Sequence, residues 1–292
     1  MTTPRKILFS TLREDLGVER GDVIYLGVEM GKVPLPSISA PLTREGIRER
    51  ERKWSEFLLD VLLEVLGPEG TLLVPTFSYD YARRGITYQH ETTPSELGPF
   101  TEFFRLTKGV HRCLHPVNSV AGIGPKTPEI LHNLGLAAYG PRSAFGKLRQ
   151  VGCKFLCLGV PLSRSCTYAH HMEQVYGVNH MYNKLFNTPV FLGGIKQPGP
   201  WLCSVRFLGI GIEAKIDDLE TALRSECLLK ESFRWKYPMQ LVHVDDVEKI
   251  GFRMLDKDPC AWLEEPIEVH IEAPGAIHQE DTIRKAAHFK IG

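Results

Sequence analysis

Three short apolar runs constrain the fold most: VIYLGV at Val23–Val28, TLLVP at Thr71–Pro75 and KFLCLG at Lys154–Gly159. Runs this short that are apolar on both faces read as strands buried between layers. The first follows a Gly21–Asp22 turn and the second a Gly67–Gly70 turn. Helical patterns fall between them. Thr3–Leu16 carries Ile7, Leu8, Leu12 and Leu16 on one face. Thr43–Leu66 is the longest such pattern, with a charged first half and an apolar face in its second half. Lys32–Leu42, rich in Pro and Ser, reads as a loop. Strands alternating with helices predict an α/β fold.

The rest of the chain fits this frame. Thr76–Gln89 is expected to be an irregular aromatic and polar loop at a strand end, where open α/β sheets commonly carry a ligand. Short helices are expected at Thr101–Leu106 and Thr127–Leu134. A turn at His115–Pro116 should lead into a strand ending near Gly122. Tyr139–Leu148 reads as a Gly/Pro loop opening a short helix. Beyond Phe186 the texture changes. Pro189–Leu192, Gly194–Trp201 and Leu202–Gly209 read as antiparallel strands, and Asp217–Glu226 and Asp246–Asp256 as helices. Pro266–Glu272 alternates like a strand. The expected fold is a parallel-containing central sheet flanked by helices, with a more antiparallel C-terminal part. A single domain spans 1–292, its αβ core at 1–186 and its antiparallel and helical part at 187–292.

Composition excludes some functions. The 292 residues carry 35 basic and 35 acidic side chains, so a net charge of zero gives no general attraction to nucleic acid or anionic membrane. The seven cysteines form no CxxC pair, which argues against a zinc ribbon or redox motif and for a reducing, cytoplasmic setting. The charged N-terminus has no apolar signal region.

Chemistry concentrates in Leu158–Phe186. After the apolar run, a polar turn leads into a stretch without Gly or Pro up to Gly177, which reads as a helix with Thr167 as N-cap. His170 and Glu173 lie three apart and share a helix face. A carboxylate there can hold one ring nitrogen in its N–H form and leave the other free to take a proton. The same pair could equally serve structure. His171 faces elsewhere and reads as a packing or surface residue. His180 and His115 could each complete a metal site, but no HExxH or HxH pattern exists and no metal is expected. Cys166 reads as a small buried hydrophobe rather than a nucleophile. GIGIEA at Gly209 lacks the third glycine of a dinucleotide loop.

Several segments together resemble the aminoglycoside 3-N-acetyltransferase family, also called the antibiotic N-acetyltransferase family. They are GVERGDVIYL (17–26), GPEGTLLVPTFSYD (67–80), HPVNSVAGIGP (115–125), YGPRSAFGKL (139–148) and LCLGVPLSRSCTYAHHMEQ (156–174), with LDKDPC (255–260) later. Thr167, His170 and Glu173 match the family's TxxHxxE helix. The resemblance implies acetyl transfer from acetyl-CoA to an amine. His170 would be the general base, Glu173 would orient it, and Thr167 with nearby amides would face the oxyanion. Ser143 and Ser119 match positions lining the CoA arm, and Thr76 and Phe77 match the adjoining loop. Tyr79, Asp80 and Tyr182 are expected, from position alone, to contact the acceptor. The expected partners are a small-molecule amine and an acyl-CoA, without nucleic acid or membrane; a homodimer is left open.

Two departures stand out. Where the family has His-Ser-Ser after the first strand, this chain has Gly27-Val28-Glu29, so donor binding is expected to be remodelled. The second histidine of HPxHS is Asn118. With a long insertion around 33–53, these favour a biosynthetic acyltransferase acting on an amino sugar or similar metabolite over a drug-modifying one. Two alternatives remain: a relative using another donor or hydrolysing a bond, and a non-catalytic binding protein on the same scaffold.

Overall fold

The apolar runs become the middle of a sheet because a strand covered by helices on both faces has no wet side. A computed structural model describes residues 3–207 and 214–265, and the backbone of strands at 267–271 and 287–291. The chain opens with α1 (Pro4–Ser10), β1 (Val23–Val28), α2 (Arg44–Leu66), β2 (Thr71–Pro75), α3 (Tyr79–Arg84), β3 (Tyr88–Gln89) and α4 (Pro99–Leu106). Next come β4 (His111–Arg112), β5 (Val120–Ile123), α5 (Thr127–Leu131), α6 (Ala144–Leu148), β6 (Lys154–Leu158), α7 (Leu162–Ser165) and α8 (Tyr168–Tyr176). Then follow β7 (Met181–Phe186), β8 (Val190–Leu192), β9 (Ile195–Lys196), β10 (Trp201–Arg206), α9 (Asp217–Ser225), β11 (Lys230–Ser232), β12 (Met239–His243) and α10 (Val244–Lys257), with β13 (Ile267–Ile271) and β14 (Ala287–Ile291) last.

The main sheet has seven strands in the order β11-β12-β6-β1-β2-β5-β4. β1 runs parallel to both β2 and β6, and the outer pairs are antiparallel. Alternation along the strands feeds two cores. Val23, Tyr25, Leu73, Phe155 and Cys157 face one, with Tyr168, Met172 and Val247 from α8 and α10. Ile24, Leu26, Leu72, Val74 and Leu156 face the other, with Leu58, Leu62 and Phe104 from α2 and α4. Each such side chain removed from water contributes about 1.5–3 kcal/mol. Where α10 crosses α8, a Cβ on Gly251 would come within 2.9 Å of Met172 Sδ, so the glycine lets the thioether pack close against α10. Among the described residues no helix is long and apolar enough to cross a membrane.

Several local expectations are corrected. Thr76–Gln89 holds helix α3 because Asp80 in its first turn and Arg83 and Arg84 in its last complement the helix dipole, and Asp80 pairs with Arg84 at 3.0 Å. The helix expected at Thr127–Leu134 ends at Leu131, and Asn133 adopts φ 54. Of Gly194–Trp201, Ile195–Lys196 forms a strand and Trp201 opens β10, while the stretch between them is irregular because Pro198 and Pro200 remove ladder donors. Met181–Phe186 is a strand paired antiparallel with β10. The sequence showed no signal for β11 or β12; β12 is recruited by the free edge of β6. Residues 208–209 of the expected third antiparallel strand, and Pro266 and Glu272, lie outside the described residues.

Candidate active site

Helix α8 carries the site. It follows β6 through α7 and ends at Gly177, whose amide donates to Glu173 O. Glu173 is 0% exposed, whereas the His170 side chain is 30% exposed, so the pair runs from the interior to the surface. His170 Nδ1 lies 3.0 Å from Glu173 Oε2. A carboxylate only accepts, so His170 donates through Nδ1–H and a neutral ring keeps its lone pair on Nε2.

Glu173 has further partners. His180 Nε2 lies 3.0 Å from Oε1, and Arg206 Nη2 lies 3.0 Å from both oxygens. Burial pushes the Glu173 carboxyl up, but the bonds from His170 and His180 and the Arg206 charge outweigh it and hold it well below the usual carboxylate range. The carboxylate is therefore a fixed anion. His180 is fully buried, and its Nδ1 has no hydrogen-bond partner among the described residues. His180 entered the sequence reading only as a spare metal ligand and Arg206 not at all. The β7–β10 pairing, with Arg206 opposite Met181, brings both onto Glu173. Among the described residues no group of His, Cys, Asp and Glu is arranged to hold a metal ion.

Thr167 stands at the start of α8, but the expected cap bond does not form. Its backbone is helical (φ -57, ψ -20), and the hydroxyl reaches the free amides only from an extended N-cap. The hydroxyl is thus uncommitted to the helix. The buried Tyr25 hydroxyl faces it without a hydrogen bond of ordinary geometry, and burial raises the Tyr25 pKa. His171 is buried and accepts from Gly140 N at 3.1 Å; burial lowers its pKa to about 4. Cys166 is a buried thiol pushed up to about 12 by desolvation, which suits packing and not nucleophilic attack.

The residues expected on the donor side are placed as follows. Ser143 caps α6, donating to Gly140 O at 2.7 Å and accepting from Gly146 N at 3.1 Å. Ser119 is fully buried, donates to Thr76 O at 2.7 Å and accepts from Arg112 Nε at 2.9 Å. Thr76 Oγ1 lies 3.0 Å from Ser119 Oγ. Phe77 is buried 6.3 Å from the Tyr79 ring. On the acceptor side, the Arg83 guanidinium lies 4.7 Å over Tyr79, Asp80 is exposed in its pair with Arg84, and Tyr182 stacks on Phe207 at 5.5 Å. Tyr139 connects the two sides. Its ring is buried 6.1 Å from that of His170, and burial raises the pKa of its hydroxyl.

Asn118 is buried and its Oδ1 accepts from Cys203 Sγ at 3.2 Å. His115 keeps a structural place: Nε2 lies 3.0 Å from Leu202 O, and Nδ1 accepts from the amides of Val117 and Asn118. At Gly27 a Cβ would lie 2.6 Å from Ser165 Cβ. Helix α7 therefore fills the space above the end of β1.

Comparison with known proteins identifies the family and the fold. The profile of the aminoglycoside 3-N-acetyltransferase family matches residues 48–232. Aminoglycoside N(3)-acetyltransferase IV of Salmonella sp is 23% identical over 228 residues, covering 72% of this chain and 77% of that protein. The crystal structure of the aminoglycoside acetyltransferase AAC(3)-IVa apoenzyme superposes with TM-score 0.66 at 21% identity, over 97% of each chain. AAC-IIIb in its binary complex with CoASH superposes with TM-score 0.69 at 20% identity, over 88% of this chain and 97% of that one. At these identities the structural likeness speaks for the fold.

Proposed function

The chain belongs to the aminoglycoside 3-N-acetyltransferase family, a family of N-acetyltransferases, and on that premise we propose that it transfers an acetyl group from acetyl-CoA to the amine of an amino sugar or related metabolite. The observation that carries the reading is the fixed His170–Glu173 pair. The buried anion holds the proton on Nδ1 and leaves Nε2 at a partly exposed surface. In the reaction the amine nitrogen attacks the thioester carbonyl and a C–N bond forms. Its proton passes to His170 Nε2. The C–S bond breaks, and the proton returns to the leaving thiolate. General-base help of this kind is worth about 10²–10⁴ in rate. The uncommitted Thr167 hydroxyl and first-turn amides of α8 would face the oxyanion; losing one such donor costs about 3 kcal/mol.

Ser119, Thr76 and Ser143 act here as framework, because their hydroxyls already bond to the protein. A cavity of about 480 Å³ is lined by Asn118 and Ala144, the chain neighbours of Ser119 and Ser143, and by Ala138. We place the donor arm there; Tyr139, next in the chain to the lining residue Ala138, brings its ring to 6.1 Å from that of His170. Tyr79, Asp80 and Tyr182 would meet the acceptor. The test is thiol release from acetyl-CoA with a panel of amino sugars. Release that falls about 10²–10⁴-fold in His170→Ala supports the reading. No release with any amine, together with no acetyl-CoA binding by calorimetry, sinks it.

A further inference from the structure

Tyr25 lies at the centre of the sheet, in the middle of β1, with Leu73 of β2 and Phe155 of β6 beside it in register. Its side chain belongs to the core under α8 and is 2% exposed. Two rings hold it from the sides, Phe145 tilted at 5.9 Å and Phe155 edge-on at 5.7 Å. These contacts need only the ring, and a phenylalanine would make them equally well. The hydroxyl has no hydrogen-bond partner among the described residues. Leaving a buried hydroxyl unmet costs about 1–3 kcal/mol. The thiols of Cys153 and Cys166, in the same core, bond only weakly. Burial keeps the phenol protonated, so it retains an O–H to donate.

The hydroxyl it faces is that of Thr167, which makes no cap bond to α8. Thr167 is half-buried where Tyr25 is buried. Its backbone is already helical, and His170 N donates to Thr167 O at 3.1 Å. Thr167 and His170 are three apart, so their side chains share the helix face on which His170 is 30% exposed. A hydroxyl has one proton to give and lone pairs to accept with. If Thr167 gives its proton to an oxyanion, a lone pair stays open to the Tyr25 O–H. Without that second partner the Thr167 rotor is free to point its proton elsewhere.

We propose that Tyr25 is a positioning residue for the acetyl transfer: its phenolic O–H donates to Thr167 Oγ1 as charge develops on the thioester oxygen, and so turns the Thr167 O–H onto that oxyanion. This rests on the acetyltransferase reading above. No proton changes owner along the chain. The phenol and the threonine each keep their own, and two donors in series polarise one another. Bonds of this kind are often loose before substrate binds and tighten in the transition state. An unmet hydroxyl persists at this place in the core because its stabilisation is gained in the transition state and not in the resting protein.

Tyr25→Phe in the whole protein tests it, with acetyl-CoA and the best acceptor of the amino-sugar panel. The expected result is a fall of about tenfold in kcat, with KM for acetyl-CoA and for the amine within about twofold. The variant should melt at or above the wild-type temperature, because it removes an unmet buried hydroxyl. Thr167→Val should lower kcat about 10²-fold, and Tyr25→Phe should add nothing in that background. In Thr167→Ser, which keeps a hydroxyl, Tyr25→Phe should again cost about tenfold. A kcat within about twofold of wild type in Tyr25→Phe, or a loss that adds fully to that of Thr167→Val, overturns the proposal and leaves the acetyltransferase reading standing. So does a Tyr25→Phe protein that melts several degrees lower or fails to fold, since the hydroxyl would then hold the core and not Thr167. No turnover by the wild type with any amine overturns both.

Discussion

One guanidinium nitrogen of Arg206 lies 3.0 Å from each oxygen of the buried Glu173 carboxylate. The cation makes Glu173 tolerable in the interior, and the remaining lone pairs go to two imidazoles. Arg206→Met should therefore cost about 3–5 kcal/mol, because it leaves a buried charge poorly paired. Glu173→Gln/Arg206→Met should cost less than the two single changes summed, since it removes both charges. Urea unfolding of the four proteins measures this. Additive costs would mean that the pair carries no coupling.

Glu173→Gln alone has a second effect. An amide can present its NH₂ to His170 Nδ1 and favour the tautomer with the proton on Nε2. Turnover should fall by about 10²-fold or more while donor affinity stays within a few-fold, because Glu173 does not line the cavity proposed for the donor arm. A rise in donor Kd with unchanged turnover would contradict the assigned role.

Acid should destabilise the protein through two buried imidazoles. Burial lowers the pKa of His115 and of His171 to about 4 from a usual value of 6.5. In both, Nδ1 accepts from backbone amides, so protonation would set N–H against N–H. Their stabilisation is complete above about pH 6.5 and is lost as pH falls toward 4, roughly 3 kcal/mol for each histidine at the limit. Glu173 is lost only at lower pH, below the usual carboxylate range. Unfolding free energy from pH 7.5 to 4.5 should slope downward with acid. His171→Asn, which keeps an acceptor without a titrating group, should flatten that slope.

Gly27→Ala should cost about 1–3 kcal/mol, since the new Cβ would lie 2.6 Å from Ser165 Cβ. Ser165→Gly in the same chain should recover most of the loss. Thermal melts of the single and double variants decide it. Equal destabilisation in both would mean that something other than Ser165 excludes a side chain there.

Ser143→Ala should lower stability by about 1 kcal/mol through loss of the cap on Gly146 N, without altering CoA affinity. A large loss of CoA binding at unchanged stability would instead make this hydroxyl a direct donor contact.

The central strands were legible because their determinants are local. VIYLGV, TLLVP and the KFLCL run are apolar on both faces, and they sit where they were expected. The helix with His170 and Glu173 was legible for the same reason, as three residues along a helix bring two side chains to one face whatever surrounds it. Lys230–Ser232 and Met239–His243 carried no such signal, because an antiparallel edge strand is fixed by the neighbour it joins. The rest of the site was decided by tertiary structure. His180 and Arg206 lie 7 and 33 residues from Glu173, and only the pairing of Met181–Phe186 with Trp201–Arg206 carries them to its carboxylate. Sequence by itself determined the sheet's middle and the His–Glu pair. Tertiary structure alone decided what that buried carboxylate is held by, because it depends on which distant strands pair, and that choice is made by the burial of both strands together and not within either stretch of sequence.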